Sequence, residues 1–167
     1  MPNTQSGRLI SKILLLTDGS EGCISVAKYG IILSKITGAA LKAIYVVNTD
    51  LLKQLERARI FVKIEEVDYE SDLENDGQDY LQDITELAAS KGVHLETELL
   101  KGIVHKIAIQ KIEEWDADLL IIGELEPGLS RQDIAHDELG LLLREARCSV
   151  LVAKEQRGLD ELFETLT

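Results

Sequence analysis

The chain has 167 residues, 30 acidic against 18 basic, a formal net charge of -12, and is 45% hydrophobic with only 4% aromatic residues. That length suits one domain with a single sizeable core, and the acidic balance works against nucleic acid or an anionic membrane, because nothing would offset phosphate repulsion. No run approaches the roughly 18–20 apolar residues of a membrane span, the opening MPNTQSGR lacks the apolar stretch of a signal peptide, and Cys23 and Cys148 have no metal-type spacing. Buried thiols in a reducing cytoplasm are the expectation.

Five apolar runs of strand length recur between helical patterns. Lys12 to Thr17 is continuously apolar at its centre, as in a strand covered on both faces, and ends in the turn-forming Asp18-Gly19-Ser20. Ser20 can cap the helix that follows, in which Cys23, Val26, Ala27, Gly30 and Leu33 share a stripe, and Gly38 stands where a left-handed cap is wanted. Leu41 to Val47 is the second strand. Residues 49 to 70 are the least readable, with Leu51, Leu55, Ala58 and Val62 at helical spacing. Leu73, Gly77, Tyr80, Leu81, Ile84, Leu87 and Ala88 then mark a clear helix closed by Lys91-Gly92. Val93 to Leu100 alternates polar and apolar, so one face or edge of that strand is expected to be wet. Val104, Ile107, Ala108, Ile112 and Trp115 form the inner face of the next helix, which leads to a strand at Leu119 to Ile122 ending at Gly123. After a loop, Ala135, Leu139, Leu142 and Ala146 mark the last main helix, and Val150 to Ala153 the last strand.

Strands alternating with helices imply right-handed crossovers and a parallel, doubly wound α/β sheet with helices on both faces. Ligands of such sheets bind beyond the carboxyl ends of the strands, where strand order reverses. Thr17 to Ser20, Val47-Asn48 and Gly123 onward are therefore the positions of interest.

Those positions carry a family likeness. Leu14-Leu15-Leu16-Thr17-Asp18-Gly19-Ser20-Glu21 resembles the opening of the universal stress proteins, with Leu16 in place of the usual proline. Ala117 to Gly123 resembles that family's fourth strand, and Arg144 to Val152 its final helix and strand, with Ser149 replacing another proline. The likeness spans residues 10 to 154. It implies five parallel strands in the order 3-2-1-4-5, a Rossmann-like sheet of the adenine nucleotide alpha hydrolase type, flanked by an N-terminal tail (1–9) and a C-terminal amphipathic extension (155–167).

ATP-binding members place Gly, two residues, Gly, nine residues, Gly and Ser or Thr after the fourth strand. Glycine lets the backbone approach the phosphates, and amides at the next helix N-terminus receive the charge. Counted from Gly123, the equivalent positions here are Glu126, His136 and Asp137. The loop keeps its length and loses its chemistry. Gly128 and Ser130 could supply a shifted version, although Pro127 removes one amide just before them. Glu124, Glu126, Asp133, Asp137 and Glu138 crowd the stretch against Arg131. A carboxylate about 5 Å from a phosphate costs on the order of 3 kcal/mol at an effective dielectric near 20, whereas a helix N-terminus returns about 0.3–1 kcal/mol. Asp137 and Glu138 serve better as first-turn acids of their own helix.

Asp18 has two readings. The resemblance makes it the strand-end acid near a nucleoside, with Val46 offering backbone contacts to the base; the turn itself would also hold an Asp there. A receiver domain would need an acid after the third strand, where Leu100-Lys101-Gly102 stands, and no Walker or paired-glycine fingerprint is present. His94, His105 and His136 lack partners at metal-ligand spacing, and His94 is expected to face solvent. Leu159, Leu162, Phe163 and Leu166 repeat at helical spacing, a stripe that either folds back on its own domain or packs on a partner subunit. Val150, Leu151 and Val152 lie in what should be an edge strand, and the resemblance implies a two-fold homodimer through it. The expected function is that of a non-enzymatic, cytoplasmic, homodimeric stress-response protein, without cofactor and acting by association, within its dimer or with another protein. The alternative is an adenine nucleotide (ATP, AMP or adenosine) held by Thr17, Asp18, Val46, Gly123, Gly128 and Ser130. Slow ATP hydrolysis is a third reading, for which no residue is placed to activate water.

Overall fold

The computed structural model describes residues 7–18, 22–58, 63–123, 138–154 and 156–167. In chain order these form β1 (Lys12–Thr17), α1 (Gly22–Thr37), β2 (Ala40–Asn48), α2 (Thr49–Arg57), α3 (Lys63–Ser90), β3 (Leu95–Gly102), α4 (Val104–Trp115), β4 (Leu119–Gly123), α5 (Glu138–Glu145), β5 (Ser149–Ala153) and α6 (Leu159–Thr165). The strands make one parallel sheet in the order β3-β2-β1-β4-β5. It is the doubly wound Rossmann-like arrangement, with β3 and β5 at its edges.

Successive side chains of a strand point to opposite faces, and the two halves of the core sort accordingly. Ile13 and Leu15, with Leu41, Ala43, Tyr45 and Val47, pack under α1, α3 and α6, while Leu14, Ile44, Val46, Leu120 and Ile122 pack under α4 and α5. Both faces of the central strands are covered, which is why their sequence shows no alternation. β3, at an edge, is wetter on both faces: its consecutive residues Glu96 and Thr97 are both exposed, so its burial does not alternate as its sequence does.

Two glycines set how closely the helices approach. A Cβ on Gly77 would stand 2.6 Å from Leu99 Cδ1 and 2.7 Å from the Tyr45 ring, so only glycine lets α3 lie this close to β2 and β3. Gly38 has φ +72°, and its N–H donates to Ser34 O at 2.8 Å to close α1.

Three sequence expectations shift. The unreadable stretch after β2 contains two helices, and α3 starts about ten residues before Leu73; its own acidic face hides the start from an apolar periodicity. Leu52 is buried in α2, whereas the side chains of Leu51 and Leu55, and all of Val62, lie outside the described residues. β3 begins at Leu95 rather than Val93, because the Val93 N–H donates to Ala88 O at 3.0 Å and still belongs to the cap of α3. Ser20 and Ala135 also lie outside the described residues.

The C-terminal helix packs on its own domain. α6 lies against α1, with Leu159 (8% exposed) and Phe163 (2%) in the main core cluster and Leu166 half-buried beside it. Leu162 is 52% exposed, so the predicted stripe is narrower than its spacing implied. The Phe163 ring has two ammonium groups over it, Lys91 at 4.9 Å and Lys28 at 5.5 Å from its centroid.

Candidate functional site at the carboxyl ends of the strands

A doubly wound sheet opens a crevice where neighbouring strands lead to opposite sides, here between β1 and β4. These strands are in register from Ile13↔Leu119 to Leu15↔Ile121. Leu16-Thr17 and Ile122-Gly123 therefore run on beyond the last paired residues. On its other side β1 follows β2 as far as Thr17↔Tyr45, while β2 continues beside β3 to Asn48. The backbone of Val46 thus stands one residue past the last β1 partner, at the lip of the crevice.

Thr17 is 2% exposed, and its hydroxyl donates to Ile44 O at 2.9 Å. That hydroxyl ties β1 to β2 below the crevice floor, which gives Thr17 a structural role at the site. Asp18, the next residue, is exposed. Its N–H donates to Cys23 Sγ at 3.3 Å, and the Cys23 thiol donates in return to Asp18 Oδ1 at 3.0 Å. Cys23 sits in the first turn of α1 and is itself 3% exposed. Its carbonyl accepts from the Tyr80 hydroxyl of α3 at 2.7 Å. Strand end, α1 and α3 are thus joined through one residue.

The electrostatics match this packing. Burial pushes the Tyr80 phenol well up, and the neighbouring Cys23 and Asp18 side chains push it further. Tyr45, its ring centroid 6.3 Å from that of Tyr80, is also raised, first by burial and then by the Asp18 and Asp76 carboxylates. Both phenols are held neutral, so on this side Asp18 has hydrogen-bonding groups beside it. Chemically the crevice offers a carboxylate that accepts from hydroxyl or amine donors, together with the backbone groups of a strand that outruns its neighbour.

The sequence-selected residues are thus partly brought together. Asp18, Thr17, Val46 and Gly123 converge on the carboxyl end of the sheet. Gly128 and Ser130 lie outside the described residues, as do Glu126, His136 and Asp137. His94 is exposed near the amino end of β3. Among the described residues there is no group of three or more His, Cys, Asp or Glu able to hold a metal, and no helix long and apolar enough to cross a membrane. Both described cysteines are free, Cys23 buried and Cys148 half-buried. Val150, Leu151 and Val152 are half-buried on the β5 edge, Leu151 packing toward α1 and the other two toward α4 and α5.

Cys23 and Tyr80 were missed as site residues. The available signal was position: a polar group in the first turn after a β-to-α turn faces back over the strand end. Asp118 is a structural residue away from the site that the sequence reading also missed. Its Oδ2 accepts from the N–H groups of Ser11 at 2.8 Å and Lys12 at 2.9 Å, securing the start of β1 from the opposite end of the sheet.

Residues 10–154 match the model of the universal stress protein family. The chain is similar to the universal stress protein MJ0531 of Methanocaldococcus jannaschii, at 30% identity over 150 residues that cover 89% of this chain and 85% of that one. Among solved structures it resembles a universal stress family protein from Burkholderia pseudomallei, with TM-score 0.66 and 22% identity, covering 88% of this chain and 98% of that one. It also resembles the Archaeoglobus fulgidus universal stress protein solved in complex with dAMP, with TM-score 0.58 and 12% identity, covering 86% and 98%.

Proposed function

Because the chain belongs to the universal stress protein family, we propose that it acts as a non-catalytic, cytoplasmic homodimer that does not hold ATP in the family's usual way. One observation carries this reading. The spacing from Gly123 to position 137 is that of a phosphate loop, but Glu126, His136 and Asp137 occupy the places of two glycines and a hydroxyl. Two side chains with Cβ atoms block close backbone approach, and the carboxylates repel what glycine amides would attract. The Thr17 hydroxyl, donating to Ile44 O inside the sheet, is not free to attack a ligand, which supports a non-catalytic role. The half-buried apolar β5 edge supports pairing with a second copy.

The test is direct. Freshly purified protein is denatured and the supernatant examined by chromatography and mass for released nucleotide; stoichiometric ATP would overturn the reading. Conversely, the triple variant Glu126→Gly, His136→Gly, Asp137→Ser should gain ATP affinity. No gain would mean that the loop is aligned wrongly.

A second reading is favoured by the exposed Asp18 carboxylate, held in place by the Cys23 thiol at the mouth of the crevice. A nucleoside or nucleoside monophosphate needs the strand-end contacts of Asp18 and Val46 far more than the triphosphate loop. The family relative solved with dAMP carries a ligand of this class. Calorimetry with adenosine and AMP separates the two readings, since only the second expects saturable binding that Asp18→Ala weakens.

A further inference from the structure

We propose that the cavity between α1 and α6 is a second binding site, for a small anion with an apolar tail, of which a medium-chain carboxylate is the simplest. The cavity holds about 350 Å³ and opens to solvent on one side, which places it at the small end of ligand pockets, roughly 300–1,000 Å³. Its walls are aliphatic: Ile32 and Leu33 come from α1, Leu159 and Leu162 from α6. Its polar groups are donors. The Tyr29 hydroxyl donates to Gln156 Oε1 at 3.2 Å, which leaves the Gln156 NH2 for another acceptor, and Arg157 adds an exposed guanidinium. The cavity shares no residue with Thr17, Asp18, Val46 or Gly123 at the crevice.

The lining selects the charge of the occupant. In a chain of net charge -12, this cavity is lined by one cation and no carboxylate. Arg157 makes no ion pair among the described residues, and the nearby acid Asp160 is already paired with Lys28. A carboxylate at this rim gains a charge-assisted contact to the guanidinium and meets no acid in the lining. The tail follows from uncovered apolar surface. Leu162 is half in water although it stands in the cavity wall, and Ile36, one turn along α1 from Leu33, is exposed as well. Docking of α6 leaves this surface bare, and an aliphatic chain would cover it with a gain of about fourfold in affinity for each methylene buried. Residues 156–162, which supply the α6 side, lie beyond the stretch 10–154 that matches the family. Half of the cavity is therefore built by this chain's extension rather than by the shared fold.

Calorimetry on the full chain with hexanoate, octanoate and decanoate, each below its micelle concentration, tests the site. One saturable site per chain is expected, tightening about fourfold per methylene until the cavity is full, with octan-1-ol binding more weakly than octanoate. Arg157→Gln should weaken octanoate about three- to fivefold and erase its advantage over octan-1-ol. Leu162→Ala should weaken acid and alcohol alike, about fivefold. Both substitutions are at exposed side chains, and thermal melts show that each variant is folded. No saturable binding of any of the three acids, equal affinity for octanoate and octan-1-ol, or binding untouched by Leu162→Ala would overturn the proposal. So would a dimer that Leu162→Ala dissociates while no carboxylate binds, which would make the cavity a contact between copies of this chain. Each outcome is independent of whether a nucleotide binds at the crevice.

Discussion

Replacing Phe163 with Ala tests whether the C-terminal helix belongs to this domain. Phe163 is 2% exposed, joins the core beneath α6, and has the ammonium groups of Lys91 and Lys28 at 4.9 and 5.5 Å from its ring. Truncating a buried Phe costs about 3–5 kcal/mol, and each cation over the ring adds about 0.5–1 kcal/mol at a partly exposed position. A terminal helix of seven residues can detach, which limits the loss to the free energy of docking. The expected destabilisation is therefore at the low end, about 3 kcal/mol. Lys91 also donates to Glu164 O at 3.3 Å and Leu166 O at 3.2 Å, so Lys91→Ala should cost about 1 kcal/mol. Leu162→Ala, on the same sequence stripe but 52% exposed, should stay within about 0.5 kcal/mol. Urea unfolding at two protein concentrations measures all three. The Phe163→Ala difference should be the same at both, because the contact is within one chain. A loss below about 1 kcal/mol, an equal loss for Leu162→Ala, or a difference that grows on dilution would refute docking in cis.

Stability should fall at alkaline pH. An unfolded tyrosine titrates near 10, and the folded values of Tyr80 and Tyr45 lie above that, so above about pH 10 the unfolded chain releases protons that the native state keeps. Their contribution is level below pH 10 and is lost progressively above it. Tyr80→Phe should cost about 1 kcal/mol at neutral pH, from the bond to Cys23 O, yet lose stability less steeply in urea midpoints taken above pH 10; equal slopes would contradict the assignment. Gly77→Ala gains about 1 kcal/mol of helix propensity but places a Cβ 2.7 Å from a tyrosine ring that cannot easily yield. A net loss of about 1 kcal/mol is expected, and a stabilised variant would mean that α3 stands further from the sheet. Leu151→Asp should convert dimers to monomers in sedimentation velocity. Because Leu151 also packs on its own core, the variant's thermal melt must confirm that it is folded, and an unchanged sedimentation profile would count against pairing through β5.

The strand ends that frame the candidate site were legible because their signals are local. An apolar run ending in Thr17-Asp18 marks a strand end within a few residues, and the Gly123 spacing is counted along the chain. Contacts between elements carry no such signal. The spacing of Leu159, Leu162, Phe163 and Leu166 fits one helix face, and only the packing of α6 against α1 decides that Leu162 faces water while Phe163 is enclosed. Cys23 read as one more buried thiol, because a cysteine in a helical stripe looks the same whether it touches carbon or carboxylate.

The sequence by itself determined the alternation of strands and helices and where β1 and β4 end, since periodicity and turn chemistry are short-range properties of the chain. The tertiary structure decided the rest: that Thr17 spends its hydroxyl inside the sheet, that Cys23 and Tyr80 stand behind Asp18, and that the last helix closes on its own domain. Those outcomes depend on distances between residues far apart in sequence, which are set when the layers pack and the buried polar groups find their partners.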